Sequence, residues 1–212
     1  TQDVSGTQIS LLTVGPGDDV SSLFGHTALR IYDPSRNLDE VFNYGLFDPS
    51  DQMKFIKEFV TGNTQYIVGA YDYSRFLQEY KYYNRWVKEQ VLDLTDSQKS
   101  EMEDFLRNNV LPANREYLYN FFYDNCSSRV KDLIENILPG YEYNNAPIKE
   151  TTYRQLLDEY LVGRDWLDFG IDIIIAQPGD EVIDHHGQMF LPDYLMTYMD
   201  RFKDAYGKPL VA

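Results

Sequence analysis

The chain has 212 residues, and its 34 acidic against 19 basic side chains give a formal charge of −15. Such a field repels phosphate backbones and anionic lipid surfaces, which argues against nucleic acid as a partner. A hydrophobic content of 43% is enough for one sizeable core, while no stretch approaches the roughly 18 consecutive apolar residues of a membrane span.

The opening "TQDVSG" is polar and lacks an initiator Met, as a chain looks once a signal peptide is removed or the sequence is trimmed. "ISLLTVGPGD" (Ile9–Asp18) reads as a strand running into a Gly-Pro-Gly turn. "GHTALRIYDP" (Gly25–Pro34) reads as a second strand, with Leu29 and Ile31 on one face and His26, Ala28, Arg30 and Tyr32 on the other. "EVFNYGLF" (Glu40–Phe47) returns as the partner of a hairpin. A turn centred on Ser35–Asn37 would set Asn43 beside Leu29. "PSDQMKFIKEFVTGN" then predicts a helix, capped by Ser50, with Phe55, Ile56, Phe59 and Val60 as its apolar stripe.

"RWVKEQVLDL" (Arg85–Leu94) is strand-like, and Thr95 and Gln98 have capping-box spacing for a helix to about Val110. The aromatic run "REYLYNFFYDN" suits a strand. After it, Val130, Leu133, Ile134, Ile137 and Leu138 recur at helical spacing until Pro139-Gly140 ends the run. Two further helices are expected in "TTYRQLLDEYLVG" and "LPDYLMTYMDRF". Strands interspersed with helices on short connections predict an α+β fold.

The chain's single cysteine, Cys126, leaves no internal disulfide and does not fix the compartment. It falls in the first turn of the best-marked helix, where Asp124 and Asn125 are both good caps. Two readings stand. A lone cysteine is often a small buried hydrophobe, and its place four residues before Val130 puts it along the core-facing edge. A helix start also stabilises a thiolate and supplies N–H groups for an oxyanion. The catalytic reading needs a base, and His26, behind Gly25, is the candidate, although the two lie a hundred residues apart in sequence. Arg129, one turn on, suits a thiolate or a substrate carboxylate, or is simply a solvated charge. Tyr44 and Tyr123 suit a cleft wall, a core or a surface. With 18 Tyr and 12 Phe, many rings must lie at the surface or line grooves, and protein, glycan and amphipathic ligands all suit such surfaces.

In "GDEVIDHHG", Asp180, Asp184, His185 and His186 offer metal-ligand chemistry. Neighbouring histidines on an extended segment point opposite ways, however, and the usual ligand spacing is missing. No metal or cofactor is assigned. A Ser–His hydrolase is disfavoured because the chain has no G-x-S-x-G elbow.

The segments "FGHTALRIYDP…VFNYGLFD", "RWVKEQVLDLTDSQK", "NREYLYNFFYDNCSSRVKDLIE" and "MFLPDYL" resemble the bacterial lacto-N-biosidase N-terminal periplasmic domain family from about Ile9 to Phe202. That resemblance implies a periplasmic, envelope or secreted protein of a Gram-negative bacterium, its signal peptide removed. The order of an early-strand His and a later Cys at a helix start also resembles the circularly permuted branch of the papain-like NlpC superfamily. Members similar to lecithin:retinol acyltransferase open such a helix with an Asn-Cys pair. Those relatives are amidases, peptidases, acyltransferases or lipid hydrolases.

The likeness implies a permuted papain-like core, an antiparallel sheet packed on helices. Residues 1–212 would form a single domain with helical insertions and a helical C-terminal extension. By the same likeness Cys126 matches the nucleophile, His26 the base and Asn43 the orienting residue. Asn125, Ser127, Arg129, Tyr44 and Tyr123 stand on the substrate or oxyanion side. Ser127 and Ser128 depart from the acyltransferase pattern. The implied substrate is a peptide, lipid or acyl-amide, attacked at an amide or ester bond. The alternative is a non-catalytic module that binds glycan or protein.

Overall fold

Strand β1 (Gln8–Val14) is buried at every position after Gln8, which fits a central strand covered on both faces. The computed structural model describes residues 3–19, 22–46, 65–143, 150–175 and 177–212, so the helix expected from Pro49 to Asn63 lies outside the described residues. β1 pairs on one side with β2 (His26–Asp33) and on the other with β5 (Val87–Val91). β3 (Leu38–Leu46), β4 (Gln65–Asp72) and β6 (Glu116–Leu118) extend the sheet. The order is β5-β1-β2-β3-β4-β6, and every pair is antiparallel.

Among the described residues seven α-helices accompany this sheet, so the fold is α+β. Helix α1 (Tyr73–Tyr82) covers one face with Phe76 and Tyr80, against Leu12, Val14, Ala28 and Val41. On the opposite face Ile9, Leu11, Leu29, Ile31 and Phe42 meet α2 (Asp96–Asn109) and α3 (Cys126–Ile137). Val130, Leu133, Ile134 and Ile137 of α3 are buried there, each worth about 1.5–3 kcal/mol relative to exposure. A second cluster gathers α4 (Tyr153–Leu161) and α5 (Asp165–Ile175) around Phe122 and Phe190. The short α6 (His185–Gln188) and α7 (Pro192–Met199) complete the set. No described helix is long and apolar enough to cross a membrane.

Local chemistry fixes the β2–β3 hairpin. Asp33 caps a 3-10 turn over Pro34–Arg36, and Asn37 takes the left-handed conformation at φ 51°, which asparagine tolerates better than most residues. Asp33 also accepts from Thr7 and Arg36, and Arg36 reaches on to Glu103 of α2. The loop closes on the pair Asp33–Leu38, which places Asn43 opposite Ala28 and not Leu29.

Two other expectations are corrected. The aromatic run before Cys126 holds only a three-residue edge strand; Asn120 then pairs back on Asp124, and Phe121 and Phe122 turn into the second cluster against Phe190. His185 and His186 are helical rather than extended, because Asp184 caps their turn by accepting the Gly187 N–H. β4, α1 and α5 are elements the sequence pattern did not announce.

Candidate active site

Asn125 positions the cysteine. Its side-chain oxygen accepts the N–H groups of Ser127 and Ser128 at 2.8 and 2.9 Å, while its amide donates to the carbonyls of Phe121 and Phe190 at 2.8 and 2.9 Å. The Ser128 hydroxyl in turn accepts the Asn125 N–H, closing a capping box. Asn125 is 5% exposed, and its carboxamide is fully engaged within the fold. The Ser127 hydroxyl is buried against Thr27 Oγ1 at 2.8 Å, tying α3 to β2. Both residues therefore hold Cys126 in place.

His26 opens β2. Gly25 before it has φ +82°, and a Cβ there would lie 2.7 Å from the Val14 carbonyl oxygen, so the tight approach is by β1. His26 and Thr27 extend past the β2–β3 ladder, whose pairing stops at Ala28–Asn43. Thr27 faces α3, while His26 starts on the α1 side and stacks on Tyr80 at 6.4 Å. The imidazole and the partly buried thiol of Cys126 come together at that strand end, near enough for each to shift the other's titration. Asn43, 2% exposed, is the diagonal neighbour of His26 on the same sheet face. It accepts a hydrogen bond from His26 Nε2 and donates to the Tyr71 hydroxyl at 2.5 Å. Nε2 is thereby occupied as a donor, which leaves Nδ1 as the basic nitrogen of the neutral ring.

The electrostatics follow from this contact. Burial alone would push the Cys126 thiol up, but the imidazolium charge, the His26 hydrogen bond, the Thr27 backbone N–H and the Ser127 hydroxyl bring it below the ordinary thiol value. Burial would likewise depress His26, but the thiolate charge and the Cys126 and Asn43 hydrogen bonds raise it. The two shifts favour a thiolate–imidazolium pair. Tyr66, Tyr80, Tyr117 and Tyr119 all feel the thiolate charge, but burial is the first cause that pushes each phenol up and keeps it protonated.

Tyr44, Tyr123 and Arg129 line a single cleft of about 460 Å³ with Phe105 and Asn109. Tyr44 is buried and donates to Asn109 at 2.8 Å, whereas Tyr123 is exposed and donates to Glu181 at 2.6 Å. Arg129 is held by both oxygens of Asp124 and lies over the Tyr117 ring at 3.7 Å. Neither Cys126 nor His26 lines this cleft; Tyr117, not singled out in the sequence, packs against its Arg129 and Tyr44, and the aromatic run was its one sequence signal.

Of the groups considered for metal, Asp180 pairs with Arg154, Asp184 caps α6, and His186 lies 3.3 Å from Glu135. Among the described residues, Asp158, Asp168 and Asp172 bring ligand atoms within 4.8 Å of one another, with Asp172 paired to Arg154.

A family model described as the Lnb N-terminal periplasmic domain matches residues 1–159, well over half the chain. No curated protein and no solved structure matches it.

Proposed function

The chain belongs to the Lnb N-terminal periplasmic domain family, and on that premise we propose that it is a cysteine-dependent hydrolase or acyltransferase of the bacterial envelope. The carrying observation is the chain of contacts from Cys126 through His26 to Asn43 at the start of a twelve-residue helix. In this reading the Cys126 thiolate attacks an amide or ester carbonyl. The tetrahedral intermediate collapses to a thioester as the leaving nitrogen or oxygen takes the proton from His26. Water or an acceptor nucleophile then gives its proton to His26 and releases the acyl group, restoring the thiolate.

Asn43 holds the imidazole in the tautomer this cycle needs, in the manner of the third member of a papain-like site. The cleft lined by Tyr44, Tyr123 and Arg129 would receive the peptide, lipid or acyl-amide substrate. The permuted papain-like core belongs to this proposal, as do a single domain over 1–212 and export from a Gram-negative cytoplasm by a removed signal peptide. No cofactor enters the cycle.

The test is incubation with a panel of peptide amides, lipid esters and acyl-amides, with mass analysis of the protein. A covalent acyl adduct on Cys126, absent from Cys126→Ala, supports the reading. A panel that leaves the thiol unmodified while the protein retains glycan or peptide ligands favours the binding-module alternative.

A further inference from the structure

An oxyanion at the start of α3 lacks the donors that the helix start would ordinarily supply. The N–H groups of Ser127 and Ser128 are both taken by Asn125 Oδ1. Of the first-turn donors closest to the thiol, only the N–H of Cys126 itself is left outside the cap. Effective stabilisation of a developing alkoxide generally needs a further preorganised donor in a water-poor setting.

Tyr117 of β6 is 8% exposed, and its hydroxyl is buried with no hydrogen-bond acceptor among the described residues. A buried hydroxyl without an acceptor is costly, and phenylalanine would fill the same space without it. The ring is clamped, with the Arg129 guanidinium 3.7 Å from its centroid and the rings of Tyr44 and Tyr66 at 6.4 and 6.3 Å.

The hydroxyl and the cysteine converge on Gly45. A Cβ built on Gly45 would lie 3.9 Å from Cys126 Cβ and 4.0 Å from the Tyr117 oxygen. Gly45 has φ +84° at the register shift between Asn43 and Leu46, so the strand bulges there and carries no side chain into the space. The backbone at Gly45 is thus the common neighbour of the cysteine and the phenol oxygen.

We propose that Tyr117 is a catalytic residue whose hydroxyl donates a hydrogen bond to the oxyanion formed when Cys126 attacks a carbonyl. The proposal rests on the cysteine reading above. The S–C bond forms, the C=O π pair moves onto oxygen, and Tyr117 donates without giving up its proton. As the intermediate collapses, C=O re-forms, the bond to the leaving group breaks, and that group takes its proton from His26.

The experiment compares two reagents on the same thiol. p-Nitrophenyl acetate acylates Cys126 through a tetrahedral oxyanion, whereas iodoacetamide alkylates it at a saturated carbon with no oxyanion. Tyr117→Phe is expected to slow acylation by roughly 10²-fold, as loss of one oxyanion donor does, with alkylation within about twofold of wild type. Acylation unchanged in Tyr117→Phe overturns the proposal. A parallel fall in both rates also overturns it, since Tyr117 would then act on the thiol or the fold. If Tyr117→Phe does not fold, 3-fluorotyrosine at position 117 decides: its stronger donor should raise acylation and leave alkylation alone, and equal acylation rates overturn the assignment. A wild-type protein that neither reagent modifies fails the cysteine reading itself, and this proposal with it.

Discussion

The carboxamide of Asn43 bridges His26 and Tyr71, accepting from His26 Nε2 and donating to the Tyr71 hydroxyl at 2.5 Å. With the amide oxygen turned to the imidazole, Nε2 is the nitrogen that carries the proton. Nδ1 is then the basic nitrogen of the neutral ring.

Breaking this bridge should cost reactivity before it costs stability. Asn43→Ala is expected to slow carbonyl acylation of Cys126 by roughly 10- to 10²-fold, a share of what acid–base catalysis contributes. Asn43→Asp restores the acceptor and adds a charge that stabilises the imidazolium. It should recover most of the rate and move the alkaline limit of the pH profile upwards. Stopped-flow acylation over pH checks both variants.

The paired shifts set a pH dependence for the thiol. Cys126 is lowered and His26 raised, despite burial acting against both and the Arg85 charge opposing the imidazolium. The rate of alkylation against pH should therefore have its midpoint on the acid side of the free-cysteine value of about 8.5. In His26→Ala the compensating charge is gone while burial stays, so the midpoint should move to the alkaline side. Iodoacetamide kinetics from pH 5 to 10 measure it.

Asn125→Ala removes a helix cap and leaves the Phe121 and Phe190 carbonyls without their donor. A destabilisation of about 2–4 kcal/mol is expected from the cap and the stranded acceptors together. Urea unfolding should report it as a lower midpoint at unchanged slope.

Asp33 is held well below the usual carboxylate range, first by the Ser35 hydroxyl and then by Thr7 and Arg36, against the cost of burial. A depressed carboxylate contributes stability that is full above its unfolded pKa of about 3.9 and is lost as pH falls towards its folded value. Asp33→Asn should therefore be less stable at neutral pH, with a shallower loss below about pH 4. Thermal unfolding of both proteins from pH 7 to 2.5 tests the sign.

Much of this was legible in the sequence because the signals are local. The Thr95–Gln98 capping box, the apolar stripe of residues 130–137 and the Asn125 cap each specify their own turn. The hairpin was legible, but its register was not. The 3-10 turn closes on Asp33–Leu38, one residue from the expected centre, and that shift carries Asn43 onto the face of His26. The meeting of Cys126 with His26 depends on α3 packing across β2, which no spacing encodes. The role of Tyr117 was hidden for a related reason: among so many aromatic residues, only the fold shows which hydroxyl lacks an acceptor. Residues such as His185 and His186 read as extended because the Asp184 cap is a three-residue effect that periodicity over so short a run does not reveal.

The rate at which iodoacetamide alkylates Cys126 in native protein, against the same protein unfolded in urea at pH 7, tests the central claim most directly. A thiolate paired with His26 predicts faster alkylation of the native protein, with the advantage lost in His26→Ala. Alkylation that proceeds only once the chain is unfolded would contradict it and return Cys126 to the role of a small buried hydrophobe.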